Sequence, residues 1–175
     1  MEKLNIDNFK LVGEAKLNNN SWNFEWLINN NYLKNSNSRI YLIIINNKIV
    51  KIGKSESKNG IRETLNMYKN GRSGSPSLRS FGIYYLILEE LKLNNNVKFY
   101  CYWNNIKINL QMKYFLKYQK SEISVSIDTI EKNYCYEYKS IFKKYPKWNF
   151  KENNEKFPSY IRKLYTEQVN NRNLL

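Results

Sequence analysis

Histidine is missing from this sequence, and that absence narrows the side chains left for chemistry near neutral pH. It removes the usual general base, every histidine-based metal site and every Cys/His zinc module. Acid–base work therefore falls to tyrosine, lysine or a carboxylate. Asp7 and Asp128 are the only aspartates, so nearly all carboxylate candidates are glutamates. Glu137 stands out among them. In the series Ile130, Tyr134, Glu137, Ile141 the helical period sets it on an apolar stripe, and a carboxylate on a buried face needs a partner. Two partners fit: a lysine or arginine in a salt bridge, or a hard divalent cation such as Mg²⁺, which takes oxygen ligands and often only one or two from protein. Cys101 and Cys135 have no paired spacing and read as reduced core residues.

Lysine and arginine total 29 against 15 acidic residues, a net charge of +14. That excess exceeds what solubility needs and favours a polyanionic partner, nucleic acid first and an anionic membrane surface second. An AT-rich genome is the competing explanation for part of it, because runs such as Asn18-Asn19-Asn20 and Asn94-Asn95-Asn96 accompany the lysines. The longest uninterrupted apolar run, Ile40 to Ile45, is far short of a membrane span, and Met1-Glu2-Lys3-Leu4-Asn5 has no apolar leader core. The expectation is a bacterial cytoplasmic protein with no membrane partner.

A chain of 175 residues holds one ordinary core, so the elements around these residues belong to one domain. Residues 1–37, with the apolar stretch Trp22 to Ile28, form an N-terminal extension packed on that core. Between Ser38 and Gly53, two strand-like runs flank Asn46-Asn47 and read as a β-hairpin. Tyr41-Leu42-Ile43-Ile44-Ile45 lacks polar alternation, so its strand is covered on both faces. Ile61, Leu65 and Tyr68 mark one face of a helix ended by Asn70-Gly71; Gly71 to Arg79 reads as a loop. Phe81 to Leu91 fits helix or strand, Val97 to Trp103 a strand, and residues near 104–126 an insertion. A helix from Asp128 to Tyr145 and a C-terminal helical extension, 151–175, complete the chain. The expected class is α+β, a small antiparallel sheet of about three strands flanked by helices.

The order Arg39-Ile40-Tyr41, Lys51-Ile52-Gly53-Lys54-Ser55, Arg62 on a helix, then Glu137 followed by Pro146-Lys147-Trp148-Asn149 resembles the GIY-YIG nucleases. Tyr41 to Lys51 is ten residues and Lys51 to Arg62 eleven, which resembles the compact type II restriction enzymes of that family, with lysine replacing the second-motif tyrosine. The resemblance covers roughly Ser38 to Phe150. It departs at Arg39, where the family has glycine, and at Lys51. Gly82-Ile83-Tyr84-Tyr85 spells the first motif literally, but no glycine follows Gly82 to end a second motif.

The resemblance implies a Mg²⁺- or Mn²⁺-dependent endonuclease acting on double-stranded DNA at a short, near-palindromic site, working as a homodimer. In that reading Tyr41 activates water, helped by the ammonium of Lys51; Arg62 grips the scissile phosphate; Glu137 holds the metal; Lys54 and Asn149 assist. Lys69, Arg72 and Arg79 around the Gly/Ser/Pro-rich loop are candidate DNA readers. The alternatives are a homing or phage GIY-YIG endonuclease and a non-catalytic basic nucleic-acid-binding protein. The mechanism requires Tyr41 and Lys51 on one face, and a three-residue hairpin loop of Ile45, Asn46 and Asn47 sets them opposite one another.

Overall fold

The structure, a computed structural model, describes residues 5–104 and 107–172. Residues 1–4, 105–106 and 173–175, at the ends of the expected extensions and the start of the expected insertion, lie outside the described residues. Two strands open the described chain, β1 (Lys10–Asn18) and β2 (Ser21–Trp26), followed by the short helix α1 (Asn30–Leu33). The hairpin β3 (Arg39–Ile45) and β4 (Lys48–Ser55) leads to helices α2 (Gly60–Lys69) and α3 (Leu78–Lys92), then to β5 (Val97–Trp103). A second hairpin, β6 (Lys107–Tyr114) and β7 (Lys117–Ser124), precedes α4 (Ile127–Phe142) and α5 (Ser159–Arg172). The class is α+β.

The main sheet is antiparallel and has five strands in the order β2-β1-β5-β3-β4. The expected three are β5, β3 and β4; β1 and β2 widen the sheet beyond them. The Asn-rich sequence of residues 10–26 hid this pair, because polar side chains interrupt its alternation. Phe24 stacks on Trp26 with ring centroids 4.5 Å apart and tilts against Phe99 at 4.7 Å, which seals the extra strands onto the core.

Each face of the sheet buries a separate apolar cluster. Tyr41, Ile43 and Ile45 of β3 meet α2 and α3 through Leu65, Tyr68, Phe81 and Ile87. Ile40, Leu42 and Ile44 meet α4 through Ile127, Ile130 and Cys135. All seven residues of β3 are buried, as expected of a strand covered on both faces. Phe81 to Leu91 is helical, and that helix starts earlier than the loop reading allowed. Ser77 caps it by accepting the Ser80 N–H at 3.2 Å, so Arg79 stands in the first turn of α3 rather than in a loop. The literal Gly82-Ile83-Tyr84 lies inside this helix. A Cβ on Gly82 would stand 2.3 Å from the Phe157 ring, so its glycine serves close packing.

Candidate active site

Two expectations about the β3–β4 hairpin fail together and leave its site intact. The loop has two residues, not three: Ile45 pairs with Lys48, and Asn46 and Asn47 take φ of 47° and 66°, left-handed values that asparagine tolerates. Tyr41 pairs with Gly53 rather than Lys51. A two-residue loop in a regular ladder would send Lys51 to the α4 face, but the register shifts between Ile43 and Ile44, so that Ile44 faces Ile49 and Ile43 faces Lys51. Val50 is the extra residue of a β-bulge. One inserted residue reverses the alternation, and Lys51 returns to the face of Tyr41. Gly53 is required where it is: a Cβ there would lie 2.4 Å from both Cζ and Oη of Tyr41.

On this face Tyr41 is fully buried, and its Oη lies 2.5 Å from Oη of Tyr68 on α2. Arg79 is exposed as a residue, yet its guanidinium reaches inwards. Nη2 donates to Tyr41 Oη at 3.0 Å and to Tyr68 Oη at 3.3 Å. Burial pushes the Tyr41 phenol well above its ordinary range, and the neighbouring Tyr68 adds to this, outweighing the Arg79 charge that favours ionisation. Tyr41 is therefore a neutral phenol at neutral pH, which leaves hydrogen bonding as its means of acting on a water. Lys51, 6% exposed, has its ammonium destabilised by burial and its pKa lowered. The negative charges that reach it belong to Glu152 and Glu131. Glu131, partly buried on α4, has its carboxyl pushed up by burial, against the pull of Lys54 and Lys51.

The other expected site residues distribute as follows. Arg62 donates from Nη1 to Asn30 Oδ1 at 2.6 Å and lies 5.9 Å from the Trp26 ring centroid, so it faces α1 and β2. Glu137 is exposed, where a buried position was expected, and it borders a shallow cleft with Leu42, Ile52 and Tyr138 on the α4 face of the sheet. The period misplaced it because α4 buries Ile127, Ile130 and Cys135, a narrower stripe than the apolar side chains suggest. Lys54 pairs with Asp128 and, at 3.8 Å, with Glu56. Asn149 is buried and closes the free edge of β4: its Oδ1 accepts the Ile52 N–H and its Nδ2 donates to the Ile52 carbonyl, both at 3.0 Å. The adjacent Trp148 N–H donates to the Val50 carbonyl at 2.7 Å. Lys51 is thus clamped between two anchored residues. Lys69 ends α2 and Arg72 is exposed beyond it.

Sequence reasoning singled out Tyr41, Lys51 and Arg79 among this group, set Glu131 aside in favour of Glu137, and missed Tyr68 and Glu152. Tyr68 read as part of an apolar stripe, and no spacing links either glutamate to a hairpin so distant in the chain. Among the described residues no three Asp, Glu, Cys or His side chains gather into a metal cage. Mg²⁺ commonly takes only one or two carboxylates and completes its shell with water and substrate phosphate. Glu131 and Glu152 act electrostatically on one another and on Lys51, and are the carboxylates whose charge reaches the Lys51 side chain. No helix among the described residues is long and apolar enough to cross a membrane.

No protein-family model matches the chain, and no curated protein matches it. Among solved structures it is similar to a mutant of bacteriophage T4 EndoII, with 27% identity, a TM-score of 0.48, and coverage of 81% of this chain and 90% of that one. It is also similar to the restriction endonuclease HPY188I in complex with product DNA, with 23% identity, a TM-score of 0.43, and coverage of 80% and 79%.

Proposed function

We propose that this chain is a divalent-metal-dependent endonuclease of double-stranded DNA, a restriction enzyme of the GIY-YIG type that acts as a homodimer on a short, near-palindromic site. The observation that carries this reading is that Tyr41 and Lys51 share one face of the hairpin, where the Arg79 guanidinium hydrogen-bonds the Tyr41 phenol; the charge of Glu131, on α4, acts on Lys51 and Arg79. Phosphodiester hydrolysis needs a water that loses a proton, neutralisation of the phosphate, and help for the departing 3′-oxygen. Lys51 is the proton acceptor in this reading; burial disfavours its ammonium and lowers its pKa. Arg79 binds the phosphate with its fork, a role that spacing had given to Arg62. The neutral Tyr41 phenol donates a hydrogen bond towards the reacting oxygens. Glu131, with Glu152, holds the cation in place of Glu137, and the bound ion would supply Lewis-acid neutralisation of the phosphate. Asn149 positions Lys51 through the backbone of β4.

A second reading is favoured by one observation: Tyr41 is fully buried behind Arg79. A phenol sealed in this way serves equally as an internal polar contact of a basic DNA-binding protein that does not cleave. Incubation with phage DNA, with and without Mg²⁺, separates the readings. Discrete fragments that require Mg²⁺ are expected; retarded but uncut DNA at every metal concentration would leave only the binding protein.

A further inference from the structure

The β6–β7 hairpin forms a sheet of its own, separate from the five-stranded one. Its two eight-residue strands make an arm about 25 Å long. A lone two-stranded ribbon in water is only marginally stable without a packing partner, yet this one leaves Ile108, Leu110 and Ile123 exposed along a single face. Its tip is stranger still. The turn between Tyr114 and Lys117 consists of Phe115 and Leu116, which are 98% and 94% exposed. Phe115 takes φ of 45°, a left-handed conformation that is uncommon and costly for a bulky residue. The molecule's other two-residue hairpin turns use Asn19-Asn20 and Asn46-Asn47 at the same place. A chain rich in asparagine thus sets two large apolar side chains, one of them in left-handed backbone, almost fully in solvent. Strain that nothing in the fold requires points to a use outside the fold.

Charge identifies the occupant. Residues 107–124 hold four lysines and a single acid, Glu122. Lys107 pairs with that acid at 2.5 Å. Lys113 lies 5.9 Å from the Tyr118 ring, while Lys117 and Lys120 have no ion-pair partner among the described residues. A second copy of this chain would bring its own +14 against these lysines, so self-association through the arm is opposed by charge. Duplex DNA meets both halves of the pattern: lysines on phosphates, and an apolar wedge entering a base step. We propose that the β6–β7 hairpin is a DNA-binding arm in which Lys113, Lys117 and Lys120 contact phosphates and Phe115-Leu116 wedges into the duplex and bends it. This rests on the duplex-DNA reading above, but not on cleavage.

The test uses the full chain without metal and an end-labelled duplex of about 30 base pairs, with anisotropy reporting affinity and end-to-end energy transfer reporting bending. Replacing Lys113, Lys117 and Lys120 by Gln should reduce the slope of log affinity against log salt by about 2–3, since each lost phosphate contact removes about 0.9. The Phe115→Ser/Leu116→Ser variant should keep that slope, bind roughly tenfold more weakly and lose the bend. Both sets of positions are solvent-facing, and circular dichroism checks that each variant is folded. If wild type binds duplex and both variants match it in slope, affinity and bend, the arm proposal fails alone. If wild type does not bind duplex at all, the endonuclease reading fails with it. If the variants instead abolish a dimer seen by sedimentation while leaving the slope unchanged, the arm is a subunit contact and the proposal is overturned.

Discussion

On the face of the β3–β4 hairpin that meets α2 and α3, Tyr41 and Lys51 are buried beside Tyr68 and under the Arg79 guanidinium. On the face that meets α4, the same two strands bury Ile40, Leu42, Ile44 and Ile52, and Lys54 remains near the surface, paired with Asp128. The apolar face shows what these strands need in order to fold. The polar face therefore carries more than folding requires, since an amine and two phenols in the core cost desolvation that leucine or isoleucine would not. Departures from local stability of this kind concentrate at functional sites.

The comparison breaks most sharply at Lys51. Lys51→Met should lower DNA cleavage by about 10²–10⁴-fold while raising the melting temperature, because a buried amine whose charged form burial disfavours is removed; unchanged cleavage would make Lys51 a structural residue. Next come two parallel variants. Glu131→Gln should cost about 10²-fold or more in cleavage with duplex binding kept, whereas Glu137→Gln, at an exposed position further along α4, should cut at close to the wild-type rate. The reverse result would move the metal site to the cleft that Glu137 borders.

Gly53→Ala tests whether the Tyr41 ring truly lies across β4. The added Cβ would fall 2.4 Å from Cζ, and a loss of about 2–3 kcal/mol in urea unfolding is expected for such overpacking. In a Tyr41→Ala background the same substitution should cost far less. Asn149→Ala leaves the Ile52 N–H and carbonyl unpaired and should cost about 1–3 kcal/mol, with a smaller loss of activity through a displaced Lys51. If stability were untouched, the edge clamp would be without energetic weight.

The smallest effect is in pH. Lys51 has a folded pKa below its unfolded one, so between the two the unfolded chain binds more protons and the Lys51 contribution to stability improves as pH rises. Tyr41 runs the other way. Its folded pKa lies above the unfolded one, so its contribution is complete below the ordinary tyrosine pKa and is lost as pH rises through the folded value. The stability gap between Lys51→Met and wild type should therefore narrow as pH rises from the lowered folded pKa of Lys51 to the ordinary lysine value. A gap independent of pH would mean that Lys51 titrates as it does in water.

Residue types and periods were enough to determine the α+β class, the hairpin at Asn46-Asn47 and the helices around Leu65 and Ile130, because each depends on near neighbours in the chain; the shared face of Tyr41 and Lys51 was only a requirement of the resemblance. The means by which that face is shared was not legible: a bulge at Val50 supplies the inserted residue that a longer loop was expected to provide, and no local signal distinguishes the two. Nor did sequence place β1 and β2 in the sheet, since the β1–β5 pairing that joins them to it spans some eighty to ninety residues and is stabilised by aromatic contacts visible only in space. The proposed roles of Arg79 in place of Arg62, and of Glu131 in place of Glu137, rest on tertiary placement for the same reason. A helix fixes the angle between its own side chains, but which angle faces the site depends on how the whole helix docks on the sheet.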